Sequence, residues 1–311
     1  MASATRSTFD RWRFALKPAS WPKLLVPFAL GQAIGLDATG HFSVAGFALA
    51  LAFTAADAVF IVMLNDFGDR DVDAIKRRMF PRTSEKTIAD GVLAASSLLF
   101  AGVAAGAVAM SIAMSALAFD RPLAPIAALL ALGLFVAYSL PPIRLNYRGG
   151  GELLEALGVG VVLPWFSAYL QSGRVWMPAL DALSGLAVLS LAGAVASGLS
   201  DERSDREGGK RTLVTMLGNE RARKIVLGCA ALAPIAWIGS AMLPHGTPTL
   251  TLVVVAALQA FAWPSLARAS EAATTDAFDA QGKLKTLLHR STWESTLGLA
   301  ALLALGPSVG L

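Results

Sequence analysis

The sequence has little of three things, and each shortage closes a door. One cysteine, Cys229, in 311 residues rules out an intrachain disulfide. Three histidines, His41, His245 and His289, show no metal-ligand spacing, so an imidazole metal site is not expected. Charge is scarce as well: only 15% of residues are charged and 55% are hydrophobic, against roughly 25% charged in soluble domains. An ordinary soluble domain is therefore excluded. The first twenty residues hold Arg6, Arg11, Arg13 and Lys17 around Asp10. They lack a continuous apolar stretch, so no cleaved signal peptide is expected.

What the chain has instead is long apolar runs. Spans are expected at 21–36, 44–65, 88–113, 123–140, 152–170, 178–199, 225–243, 248–266 and 292–307, each near the length that crosses a bilayer as a helix. The expected fold is thus all-α: nine transmembrane helices around one cavity, with short helices capping its mouth. Of the 26 basic residues, 24 fall on one side, leaving only Arg121 and Arg174 opposite. The positive-inside rule makes the basic side cytoplasmic, with the N-terminus inside and the C-terminus outside the cell (inner) membrane. Most of these charges report topology, and no nucleic-acid partner is expected. The whole chain, 1–311, reads as one transmembrane domain: a positional pseudo-repeat of helices 1–4 and 5–8, plus helix 9.

Two acidic clusters carry the chemistry. The first is Asn65-Asp66-Phe67-Gly68-Asp69-Arg70-Asp71-Val72-Asp73; the second is Asp201-Glu202-Arg203-Ser204-Asp205. Asp66, Asp69 and Asp73 share one helical face, as do Asp201 and Asp205. Each cluster follows the second span of its half, so the two are expected to face each other on one side of the membrane. Carboxylates gathered this way repel unless cations lie between them. Hard oxygen donors suit Mg²⁺, which completes its shell with water and substrate phosphate oxygens. A membrane enzyme acting on a diphosphate is the expectation.

Asn65-Asp66-x-x-Asp69-x-x-x-Asp73 resembles the first acidic signature of the UbiA superfamily of intramembrane prenyltransferases. Asp201-x-x-x-Asp205 with Gly209-Lys210-Arg211-Thr212-Leu213 resembles the second, and Tyr138-Ser139-Leu140-Pro141-Pro142-Ile143-Arg144-Leu145 is similar to the end of that family's fourth helix. Tyr147-Arg148-Gly149-Gly150-Gly151-Glu152 looks most like the menaquinone-type branch, which prenylates 1,4-dihydroxy-2-naphthoate. The resemblance implies a prenyl diphosphate donor, a small lipophilic or aromatic acceptor and a membrane setting.

A prenyl diphosphate ionises when its leaving group is neutralised in a site shielded from water. Asp66, Asp69, Asp73, Asp201 and Asp205 are the expected Mg²⁺ ligands, with Asn65 as a further oxygen ligand or orienter. Lys86, Arg144, Lys210 and Arg211 are candidates to grip the diphosphate. Tyr138 is a candidate to hydrogen-bond the leaving oxygen or shield the allylic cation. Asp57, inside the second span, is costly there unless it faces a cavity or partner; it is a candidate to serve the acceptor, and Glu152 and Glu155 pose the same question. Trp165 and Phe166 are weighed as a lining for the isoprenoid tail. The leading function is Mg²⁺-dependent prenyl transfer to an aromatic, quinone-precursor-like acceptor. A terpene cyclase on the same diphosphate site is the alternative. A transporter is the weaker one, because the acidic groups gather at one membrane face and not at its midplane.

Overall fold

A computed structural model of the chain describes residues 6–83, 85–243 and 246–309; His245 lies outside the described residues. Helix α1 (Thr8–Ala15) starts at Ser7, whose hydroxyl accepts from the Asp10 N–H at 3.1 Å. Helix α2 (Pro22–Thr39) opens on a proline, tolerated there because the first helical N–H has no partner to lose. It stops at Gly40, whose φ of +68° favours glycine. Helix α3 (Val44–Met79) is 36 residues long, with Ser43 capping its first turn. Then come α4 (Ala95–Ser115) and α5 (Ala124–Ser139). Helix α6 (Gly151–Leu157) continues through a wider turn, Gly158–Val162, into α7 (Leu163–Ser172). They are followed by α8 (Leu183–Gly198), the short α9 (Glu202–Glu207) and α10 (Leu213–Leu217), and the long α11 (Asn219–Ser240), α12 (Thr249–Ala272) and α13 (Phe278–Val309).

Among the described residues six helical stretches are long and apolar enough to cross a membrane, and α5 is apolar but shorter. The protein is an all-α, multi-span membrane protein. Its outward surface agrees: Phe100 on α4 and Phe261 on α12 are 77% and 88% exposed, which suits acyl chains and not water. Packing contacts run from α3 through α4, α5, α6, α8, α11, α12 and α13, and return through α2. The helices therefore form a closed ring.

Two stretches differ from the sequence expectation. The second span is expected to end at 65 with the first acidic cluster beyond it, but α3 runs through the cluster without a break. No proline occurs between Val44 and Pro81, and Gly68 is held against Ser139, where a Cβ would lie 2.6 Å from the hydroxyl. The polar segment 267–291 is likewise helical at both ends, extending α12 to Ala272 and starting α13 at Phe278. Amphipathic turns prolong an apolar helix at little cost when nothing interrupts the backbone hydrogen bonds.

Candidate active site

A cavity of about 420 Å³ opens inside the ring near the charged ends of the helices. Helix α3 contributes Asn65, Asp66 and Asp69 to its wall, and the junction of α8 and α9 contributes Asp201 and Asp205. The two acidic clusters thus face one space. What joins them is Lys210: its ammonium lies 2.9 Å from Asp69 Oδ2 and 3.9 Å from Asp205 Oδ1. Asp69 also accepts from the Tyr147 hydroxyl at 3.1 Å.

Each remaining carboxylate also has a cation. Asp66 pairs with Lys17 and accepts from the Thr87 hydroxyl at 2.6 Å. Asp73 pairs with Lys86 at 2.6 Å, and Asp201 with Lys76. Burial alone would lower the Lys86 pKa, but the charges of Asp201 and Asp73 outweigh it and hold the ammonium above the ordinary lysine range. Lys210 follows the same pattern: burial opposes its charge, and Asp69 and Asp205 restore it with a net rise. Burial, followed by the nearby Asp69 charge, raises Tyr147, so its phenol stays a protonated donor.

Deeper in the cavity the lining turns apolar, with Leu24, Ile61, Phe135 and Leu163. Asp57 lies there, two to three helical turns from Asp66 on the same helix and about 13 Å along its axis. It is 4% exposed, and its Oδ1 has no hydrogen-bond partner among the described residues. Tyr138, on α5, lines the same cavity, its ring stacked on Phe135 with centroids 6.0 Å apart.

Other sequence candidates stand elsewhere. Arg144 donates to the Gly68 carbonyl at 2.5 Å and lies over the Tyr147 ring at 3.4 Å, bracing α3 from outside the cavity lining. Arg211 is exposed. Phe166 packs on Phe53 with centroids 4.8 Å apart, and Trp165 stacks on Tyr169; neither lines the cavity. Glu155 lines it and pairs with Lys23. Lys17, Lys76 and Asn146 were not singled out in the sequence. A lysine beside a span looks like a topology anchor whichever way its side chain turns, and a lone asparagine before a glycine run carries no periodic signal.

Among the described residues no three acidic, histidine or cysteine groups already converge as a metal cage; lysine ammoniums hold that ground. The donor set still fits Mg²⁺. That ion takes one or two carboxylates and leaves its other positions to water and phosphate oxygens, and oxygen donors approach this cavity from two sides. Asp66 and Asp69 on one wall, and Asp201 and Asp205 on the other, are the residues that would hold it, with Asp73 flanking.

The UbiA prenyltransferase family model matches residues 24–306. A lycopene elongase/hydratase of Haloferax volcanii is 31% identical over 78% of this chain and 77% of that protein. A 2-carboxy-1,4-naphthoquinone phytyltransferase of Synechocystis is 26% identical over 82% of this chain and 81% of that protein. The structure of a UbiA homolog from Archaeoglobus fulgidus bound to GPP and Mg²⁺ covers 92% of this chain and 99% of its own, with a TM-score of 0.68 at 18% identity. That last likeness is one of fold.

Proposed function

The chain belongs to the UbiA prenyltransferase family, and from that premise we propose that it transfers a prenyl group from an allylic prenyl diphosphate to an aromatic, quinone-precursor-like acceptor inside the membrane. The observation that carries the reading is two acidic clusters lining opposite walls of one cavity whose deeper part is apolar. Such a cavity takes a charged head at its mouth and a hydrocarbon tail below. Nine spans, a cytoplasmic mouth roofed by α9 and α10, an outside C-terminus and a single domain complete the proposal.

Bound Mg²⁺, as in the homolog with GPP, would neutralise the diphosphate as a Lewis acid. The carboxylates of Asp66, Asp69, Asp73, Asp201 and Asp205 would hold the cation, with Asn65 orienting. Lys86 and Lys210, the latter already between the clusters, turn their ammoniums to the diphosphate. Arg144 and Arg211 remain proposed as more distant supports for that anion. The allylic C–O bond breaks with its electron pair leaving on the diphosphate. The Tyr138 ring face shields the allylic cation. A π pair of the acceptor ring forms the new C–C bond, and the displaced ring proton passes to the Asp57 carboxylate.

A second reading has support from the Haloferax volcanii relative: the acceptor would be a polyene. The menaquinone-type acceptor and the polyene use one donor chemistry. The test is to incubate purified protein with Mg²⁺ and a panel of prenyl diphosphates, with and without aromatic acceptors, and identify products by mass. Prenylated acceptor is expected. Diphosphate release without acceptor, together with a cyclic hydrocarbon, would overturn transfer in favour of cyclisation.

A further inference from the structure

Glu152 and Asn146 line the same cavity as the acidic clusters, yet nothing in the reaction above uses them. Both are nearly closed off, at 6% and 5% exposure. Glu152 spends one oxygen on the fold: Oε1 accepts from the Leu213 N–H at 2.6 Å. Among the described residues its Oε2 is buried without a partner, and so is the Asn146 amide nitrogen, Nδ2. Buried polar atoms are almost always satisfied, because an unmade hydrogen bond costs more than a made one contributes.

The backbone is built to bring the two residues together. Gly149 and Gly150 have φ of +90° and +100°, a turn that other residues resist. Gly151 then opens α6 so close to Asn146 that a Cβ would lie 2.8 Å from the Asn146 Cα. The glycine run therefore places the Asn146 amide against the first turn of α6, which carries Glu152.

We propose that Glu152 Oε2 and Asn146 Nδ2 form the recognition subsite for the acceptor, which must then carry oxygen: a hydroxyl that donates to Glu152 and a second oxygen that accepts from Asn146. This rests on the prenyl-transfer reading and narrows it to a hydroquinone or similarly oxygenated aromatic ring. A hydrocarbon polyene would leave both groups buried and unpaired. A site built to hydrogen-bond a substrate hydroxyl rejects analogues that lack it far more sharply than an apolar pocket distinguishes shapes.

The experiment uses the purified full chain with Mg²⁺ and geranyl diphosphate, and measures steady-state kinetics for a dihydroxylated aromatic acceptor and its mono-O-methyl ether. Wild type should prefer the free hydroxyl by roughly 10⁴-fold or more in kcat/KM, well beyond the 10- to 200-fold of an apolar pocket. Glu152→Gln keeps the carbonyl that accepts from Leu213 but puts an amide N–H₂ where Oε2 was. It should lose that preference while donor KM stays within about twofold. Asn146→Leu should raise acceptor KM about tenfold for the dioxygenated ring and leave a mono-hydroxylated ring little changed. Unchanged preference in Glu152→Gln, or donor KM rising in step with acceptor KM, overturns the subsite. If Glu152→Gln does not fold, wild-type indifference to methylation, or an Asn146→Leu variant with wild-type acceptor kinetics, overturns it instead. Wild-type transfer to a polyene alone overturns the subsite and leaves prenyl transfer standing. No diphosphate release with any acceptor overturns both.

Discussion

Lys210 is the residue on which the two acidic clusters meet, and it is 8% exposed at its side chain. Removing one member of a buried charge network strands the others, at a cost of about 3–5 kcal/mol. Lys210→Ala should therefore lower the midpoint of thermal unfolding in detergent and also weaken donor binding. The pH dependence has a definite sign. Lys86 and Lys210 have raised pKa values in the fold, so their contribution is complete below the unfolded lysine value and disappears only as pH climbs through the higher folded one. Stability from these pairs should be flat between about pH 7 and about pH 9, which a thermal-shift series across that range would check. Asp66→Ala and Asp201→Ala should each cost at least about a hundredfold in turnover, by analogy with other lost electrostatic stabilisers, with the protein still folded by size-exclusion chromatography. Asp57→Asn is different. It should leave donor KM unchanged and reduce kcat or raise acceptor KM, since an amide cannot take the ring proton. Wild-type values for both substrates would remove Asp57 from the reaction.

At the scale of elements, α3 is the part that holds the rest in order. Asp57, Asn65, Asp66, Asp69 and Asp73 all belong to it, so one continuous helix sets both the depth and the direction of every one of these groups. One alanine inserted after Phe60 would rotate everything beyond it by about 100° and turn the first cluster away from the cavity. Donor binding should vanish in that variant even where it folds, and tracer-labelled geranyl diphosphate would report it. A second contact fixes α2. Gly31 and Gly35 lie against α7, where a Cβ at Gly31 would fall 2.2 Å from the Pro164 carbonyl. Small residues let membrane helices approach this closely, and Gly31→Ala should cost about 1–3 kcal/mol, read as a drop in unfolding midpoint. Periodicity made the shared face of Asp66 and Asp69 legible in the sequence, and span counting put the second cluster on the same side. It could not show that Lys17, before α2, or Lys76, at the end of α3, would reach those carboxylates. Those contacts cross from one helix to another, and no local pattern records them. The continuity of α3 is hidden for a related reason: polarity ends the apolar stretch without ending the helix.

For the molecule as a whole, the ring of helices keeps one wet, charged end and an apolar girdle, and the proposed reaction requires Mg²⁺ only at the wet end. Activity should disappear in EDTA and return with added Mg²⁺; full turnover in the chelator would rule the metal mechanism out. Folding should not follow activity. The mouth holds five carboxylates, and Lys17, Lys76, Lys86 and Lys210 sit on them. The protein thus carries its own counter-ions and can be inserted and folded before any ligand arrives. Loading the site then resembles ion exchange: mobile divalent cations displace tethered monovalent ones, which are released within reach of the anion that comes with the metal. A resin of this kind has no affinity for metal or diphosphate alone to match its affinity for the two together. In binding terms, each should tighten the other by the same factor.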